Sequence, residues 1–169
     1  EDGDGSVLGK VTLDEELTIG ADRTLTVEPG ATLTVPAGVS LTNNGTIKVE
    51  LGGSYSGSQP AGSPVEYYVG WDADEDGAAE QADYLAYGTE PVYSGAEPVK
   101  ENTAQYTYTF LGWSPGIAAV TGSVLYTAQF DSTVNRYTVT LPADRTGYTL
   151  TPAADTTLDW GETFSFTLT

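Results

Sequence analysis

Residues 71–83 read WDADEDGAAEQAD, with six carboxylates in the twelve positions that follow a tryptophan. Asp72, Asp74, Asp76 and Gly77 stand at positions 1, 3, 5 and 6 of a D-x-D-x-D-G loop, with Glu80 at position 9 and Asp83 at position 12. In a calcium loop, alternating carboxylates converge on the ion because the glycine permits a sharp turn, and a bidentate Glu at position 12 closes the shell. Asp83 is shorter than Glu and less able to bind through both oxygens. The flanking VEYYVGW and YLAYG alternate as strands do, and Asp76-Gly77 is a strong turn dipeptide. The stretch therefore reads first as an acidic hairpin. Weak calcium binding by Asp72, Asp74, Asp76, Glu80 and Asp83, at roughly millimolar extracellular concentrations, is the alternative.

Aromatic residues offer a second chemistry, the stacking of sugar rings. Tyr55, Tyr68 and Tyr93 have polar or glycine neighbours and are the glycan-stacking candidates, whereas Trp71 continues an apolar face and reads as core. Covalent or acid–base chemistry has less support. The chain has no His and no Cys, which removes the commonest general base, thiol nucleophiles and thiolate metal sites. With 24 acidic residues, some carboxylate pair always exists by chance, and no deep scaffold is evident to raise the pKa of one of them. We expect no catalytic residues and no enzyme activity.

The net charge of −18 rests on six scattered cations, so the clustered positive surface that nucleic acid requires is missing. No apolar run reaches membrane-spanning length, and no membrane insertion is expected of this segment. Patterned Val, Thr, Tyr and Leu argue for folded strands, with the charge a solvated, self-repelling surface. The absence of Met suggests a segment left after signal-peptide removal. The expected location is extracellular or attached to the cell wall.

The elements that position these residues are read as an all-β to β-rich chain. LTI (17–19), LTV (25–27), LTV (33–35) and LTN (41–43) recur every eight residues, and IKV (47–49) follows. Turn residues separate these triplets at Gly20, Pro29-Gly30, Pro36 to Gly38 and Asn43 to Gly45. Each triplet places two apolar side chains on one face, and such short strands bury that face only when stacked. Residues 1–52 are therefore expected to form a short β-solenoid resembling a parallel β-helix, with Leu41 above Leu17; an antiparallel meander is the competing arrangement. Residues 53–64 have the Gly/Ser/Pro composition of a linker. Longer alternating strands fill 65–134, with Val65, Tyr67, Val69 and Trp71 on one face and Tyr106, Tyr108 and Phe110 on another. Residues 87–100 read as loop with at most a short helix. Residues 135–169 read as a partial third β module.

YTYTFLGWSPGIAAVTGSVLYTAQF (106–130), with Tyr87, Gly88 and Pro91 upstream, resembles the internalin-type B-repeat, also called the Listeria–Bacteroides repeat. The resemblance covers residues 65 to about 135, and 137–169 is more loosely similar to a small surface repeat that follows such modules. It implies a β-grasp-like module of bacterial surface proteins that serves as stalk, spacer or adhesive unit, and it transfers no catalytic residue. The expected function is a non-catalytic structural spacer and adhesion module whose partner is a host or bacterial surface protein or a glycan. A carbohydrate-binding accessory module of a larger polysaccharide-active enzyme is the alternative.

Overall fold

The computed structural model describes residues 4–143 and 146–169 and is all-β, with no helix among the described residues. Its first part is a three-sided solenoid of three turns. The first turn carries β1 (Gly5–Val7), β2 (Lys10–Thr12) and β3 (Leu17–Ile19). The second carries β4 (Thr24–Val27), β5 (Thr32–Val35) and β6 (Leu41–Asn43), and the third carries β7 (Thr46–Val49), β8 (Ser54–Gly57) and β9 (Ala61–Gly62). Every strand pairs in parallel with its counterpart one turn on, giving the ladders β1-β4-β7, β2-β5-β8 and β3-β6-β9. Leu17 pairs with Leu41 and Leu25 with Ile47, so stacking rather than a meander satisfies the eight-residue period.

The apolar–Thr–apolar triplets explain the core. Val27, Leu33, Val35, Leu41, Ile47 and Val49 are all buried, and Val7, Val27 and Val49 form one column through the turns. The intervening hydroxyls form ladders of their own, with Thr32 Oγ1 2.9 Å from Ser54 Oγ and Thr34 Oγ1 3.0 Å from Ser56 Oγ. Asn43, which ends the LTN triplet where the expected turn begins, is a fully buried strand residue whose Nδ2 donates to the Ser63 carbonyl at 3.0 Å.

The linker expected at 53–64 is not one. Backbone bonds hold this tract to the turn before it, from Ser54 N to Ala31 O (2.9 Å), Ser58 N to Val35 O (3.0 Å) and Ser63 N to Asn43 O (2.8 Å). Its glycines report close backbone approach rather than flexibility. A Cβ on Gly57 would lie 2.0 Å from the Val35 carbonyl oxygen, on a backbone whose φ is +97°. Only a residue without a side chain fits there.

The same ladder then continues without a break into the second part. This part contains β10 (Val65–Asp72), β11 (Gln81–Ala86), β12 (Tyr106–Ser114) and β13 (Val124–Val134). β10 pairs in parallel with β7, Val65 beside Ile47 and Tyr67 beside Val49, and so acts as a fourth step of the β1-β4-β7 face. β11 returns antiparallel along β10, and β13 pairs in parallel with it, Val69 beside Val124 and Trp71 beside Tyr126. β12 follows β13 in the sheet order. The alternating face expected of Val65, Tyr67, Val69 and Trp71 is buried throughout. The segment between β11 and β12 contains neither helix nor strand.

The chain divides into two compact units, Glu1–Pro98 with Gly112–Gln129, and Val99–Leu111 with Phe130–Thr169. The solenoid and the β10–β11 hairpin thus share one unit, where the sequence suggests a boundary between them. The second unit holds β14 (Arg136–Val139), antiparallel to β16 (Thr156–Asp159), and β15 (Leu150–Thr151), antiparallel to β17 (Thr167–Leu168). It also takes the ends of β12 and β13. There Asn135 Nδ2 donates to the Thr103 carbonyl at 2.8 Å and the Tyr137 hydroxyl to the Ala104 carbonyl at 2.7 Å.

Ile47 lies between Leu25 and Val65 in the shared ladder and is fully buried. Ile47→Ala is expected to cost about 2–4 kcal/mol in urea denaturation. Its unfolding followed by Trp fluorescence and by far-ultraviolet circular dichroism is expected to shift together for the first unit.

Candidate metal centre

β10 ends in Trp71 and Asp72, and its length decides where the acidic loop begins. The Trp71 carbonyl accepts the Glu80 amide at 2.9 Å, which closes a loop of residues 72–80 between the two strands. The expected hairpin is therefore present, with Gly77 at φ +89° and Glu75 at φ +65° supplying the left-handed backbone that the reversal requires.

Within this loop Asp72, Asp74, Asp76 and Glu80 converge, each offering one carboxylate oxygen, and these atoms all lie within 4.8 Å of one another. Several of the carboxylates also organise the loop. Asp74 Oδ1 accepts the Asp76 amide at 3.2 Å, Asp76 Oδ1 the Ala78 amide at 2.7 Å, and the Glu80 carboxylate the Ala73 amide. Asp72 differs from the other three because it is 2% exposed. Its Oδ2 accepts the Gly77 amide at 3.1 Å, whereas its Oδ1 is buried without a hydrogen-bond partner. A set made only of carboxylate oxygens suits a hard cation such as calcium, magnesium or manganese.

Asp83 does not join them, which corrects the five-residue set read from the sequence. The antiparallel register starts at Gln81 beside Trp71, so position 12 already lies inside β11, where Asp83 is exposed opposite Val69. Its Oδ2 is 3.4 Å from Gln81 Nε2, which donates to it.

The three tyrosines expected to offer sugar platforms are engaged with protein instead. Tyr55 lies in β8 beside Leu33, packs on the core, and donates its hydroxyl to the Ser58 carbonyl. Burial, with a smaller effect of Tyr67, pushes its phenol up to about 12. Tyr93 packs on Trp71 and Trp113 at centroid separations of 5.5 and 4.8 Å, and Trp71 stacks on Tyr126 at 4.6 Å. Gln81 holds that loop in place, its Oε1 accepting the Ser94 amide at 2.9 Å and its Nε2 donating to the Val92 carbonyl at 3.2 Å. Tyr68 is half-buried and edge-on to Tyr84 at 6.0 Å. Tyr84 in turn donates to Glu50 beneath the Lys48 ammonium, 4.4 Å from its ring centre. Desolvation and then the Glu50 bond push the Tyr84 phenol up to about 12.

Two open aromatics that pair with each other are ones the sequence did not single out as exposed. Tyr137 and Trp160, in the second unit, are each 48% exposed, with ring centres 5.9 Å apart. No protein-family model, curated protein or solved structure matches the chain, so its family reading rests on the residue motifs alone.

Burial disfavours the phenolates of Tyr55 and Tyr84, so their folded pKa values lie above the ordinary 10.0. The stability this contributes is complete below pH 10.0 and is lost as pH rises towards about 12. Absorbance titration is expected to show late-ionising phenols, buried Tyr67 among them, and Tyr55→Phe and Tyr84→Phe are each expected to remove one.

Proposed function

We propose that this chain is a segment of a secreted or wall-attached bacterial surface protein, in which it acts as a non-catalytic spacer and adhesion module. The observation that carries this reading is the unbroken ladder β1-β4-β7-β10, which joins the solenoid and the hairpin within one compact unit. Such a body holds whatever it bears at a fixed spacing, because separating its parts requires breaking a parallel backbone ladder and opening a buried core. The residues that carry the B-repeat resemblance support the same reading. Tyr126 and Ala128 of its last strand are buried, and Trp113 of its G-W element packs edge-on to Trp71 at 4.8 Å. A net charge of −18 favours a soluble, exported surface that repels its own copies. Its partner would be a host or bacterial surface protein or a glycan.

Mild protease treatment of intact cells of the source organism is expected to release fragments that react with antibodies raised against this chain. Antigen found only after the cells are broken open would overturn the assignment.

A second reading, an accessory carbohydrate-binding module of a polysaccharide-active enzyme, is favoured by one observation. Tyr137 and Trp160 present exposed rings beside the carboxylates of Asp159 and Glu162, along one groove of the second unit. Stacking on such rings contributes about 1 kcal/mol each beyond area burial. On this reading Trp160→Ala weakens retention in polysaccharide affinity gels by roughly tenfold. No retention of the intact chain on any polysaccharide would remove the reading altogether.

A further inference from the structure

We propose that the loop 72–80 is a calcium site built from Asp72, Asp74, Asp76 and Glu80. A cluster of acids on an acidic surface would carry no such weight by itself. The added observation is Asp72, whose side chain is buried at the inner end of the cluster and whose Oδ1 has no hydrogen-bond partner. An uncompensated buried carboxylate oxygen is costly, and three further carboxylates gathered within 4.8 Å of the Asp72 carboxylate raise that cost. A cation held between them removes both penalties at once.

The spacing admits a calcium ion. Oxygens on opposite sides of a calcium ion stand about 4.6–5.2 Å apart, since each lies about 2.3–2.6 Å from the metal. Opposite ligands of magnesium stand only about 4.0–4.2 Å apart, in a strict octahedron. The four carboxylate oxygens already lie within 4.8 Å of one another, which leaves room for the larger ion, and calcium's flexible geometry asks less of an irregular loop than magnesium's octahedron does. Backbone carbonyls and water would complete a shell of six to eight oxygens.

The consequence for the hairpin follows from where the ligands sit. Asp72 is the last residue of β10, next to the buried Trp71, and Glu80 immediately precedes β11. A shared ion would therefore tie the two strand ends together across the loop. Without Asp83 the site has four protein carboxylates and no bidentate glutamate at its end, which places affinity in the range of about 10⁻⁴–10⁻³ M typical of extracellular modules.

The test is calorimetric titration of the chelator-treated chain with calcium chloride up to about 5 mM, in buffer of physiological ionic strength. Single-site heat is expected, together with a rise in melting temperature and a change in the fluorescence of the adjacent Trp71. Asp72→Asn, nearly isosteric, and Glu80→Gln, at an exposed position, are each expected to weaken binding at least about tenfold, and Asp83→Asn to leave it within about twofold. Should Asp72→Asn not fold, Asp74→Asn and Glu80→Gln decide the matter. The proposal is overturned by absence of both heat and a melting shift. It is equally overturned if Asp83→Asn weakens binding as much as Glu80→Gln, since the ion would then be a diffuse counterion of the acidic surface. Magnesium binding as tightly as calcium would overturn the choice of metal.

Discussion

The parallel pairing of β10 on β7 is the interaction on which the rest of this molecule depends. A solenoid of three short turns ends in a row of open backbone donors and acceptors above an apolar core, and such an end must be covered. On one of the three faces Val65 and Tyr67 cover it by lying beside Ile47 and Val49, as the next turn of a solenoid would. β10 then runs on past the width of the solenoid face. Its extension pairs with β11 on one side and β13 on the other, and carries Trp71 into the aromatic cluster of Tyr93, Trp113 and Tyr126. Asp72 is its final residue, so the same strand that caps the solenoid also delivers the buried carboxylate of the acidic loop.

Much of this was legible in the sequence because side-chain periodicity records which faces are buried. The eight-residue recurrence of LT triplets placed Leu41 over Leu17, and the alternation from Val65 to Trp71 marked a buried face. What composition misreported was the tract 53–64. Glycine and serine there reflect the tight approach of one backbone to another, as at Gly57 against Val35, and the tract is held by backbone bonds that no side-chain pattern encodes. Tyr55 and Tyr93 failed as exposed platforms for a related reason. Small neighbours suggest exposure, whereas here they let a large ring settle against the core.

The acidic stretch shows the same division between local and non-local information. The spacing of Asp72, Asp74 and Asp76 and the turn at Gly77 follow from the local sequence. The exclusion of Asp83 follows from the strand register, and the burial of Asp72 from the sheet packed around β10, neither of which a single stretch reveals. In the proposed role, the calcium site and the continuous ladder serve one end. In that role both would hold the module in a single conformation outside the cell, where calcium is plentiful and no disulfide is available to a chain without cysteine.

Native-state hydrogen exchange most directly tests the central claim that solenoid and hairpin form one body. If β10 completes the solenoid, the amides of β7 and β10 exchange through the same opening, with equal free energies and equal dependence on denaturant. Exchange of the β10 amides at low denaturant while those of β4 and β7 stay protected would contradict it, and would mean that the hairpin is a separate module resting on the solenoid.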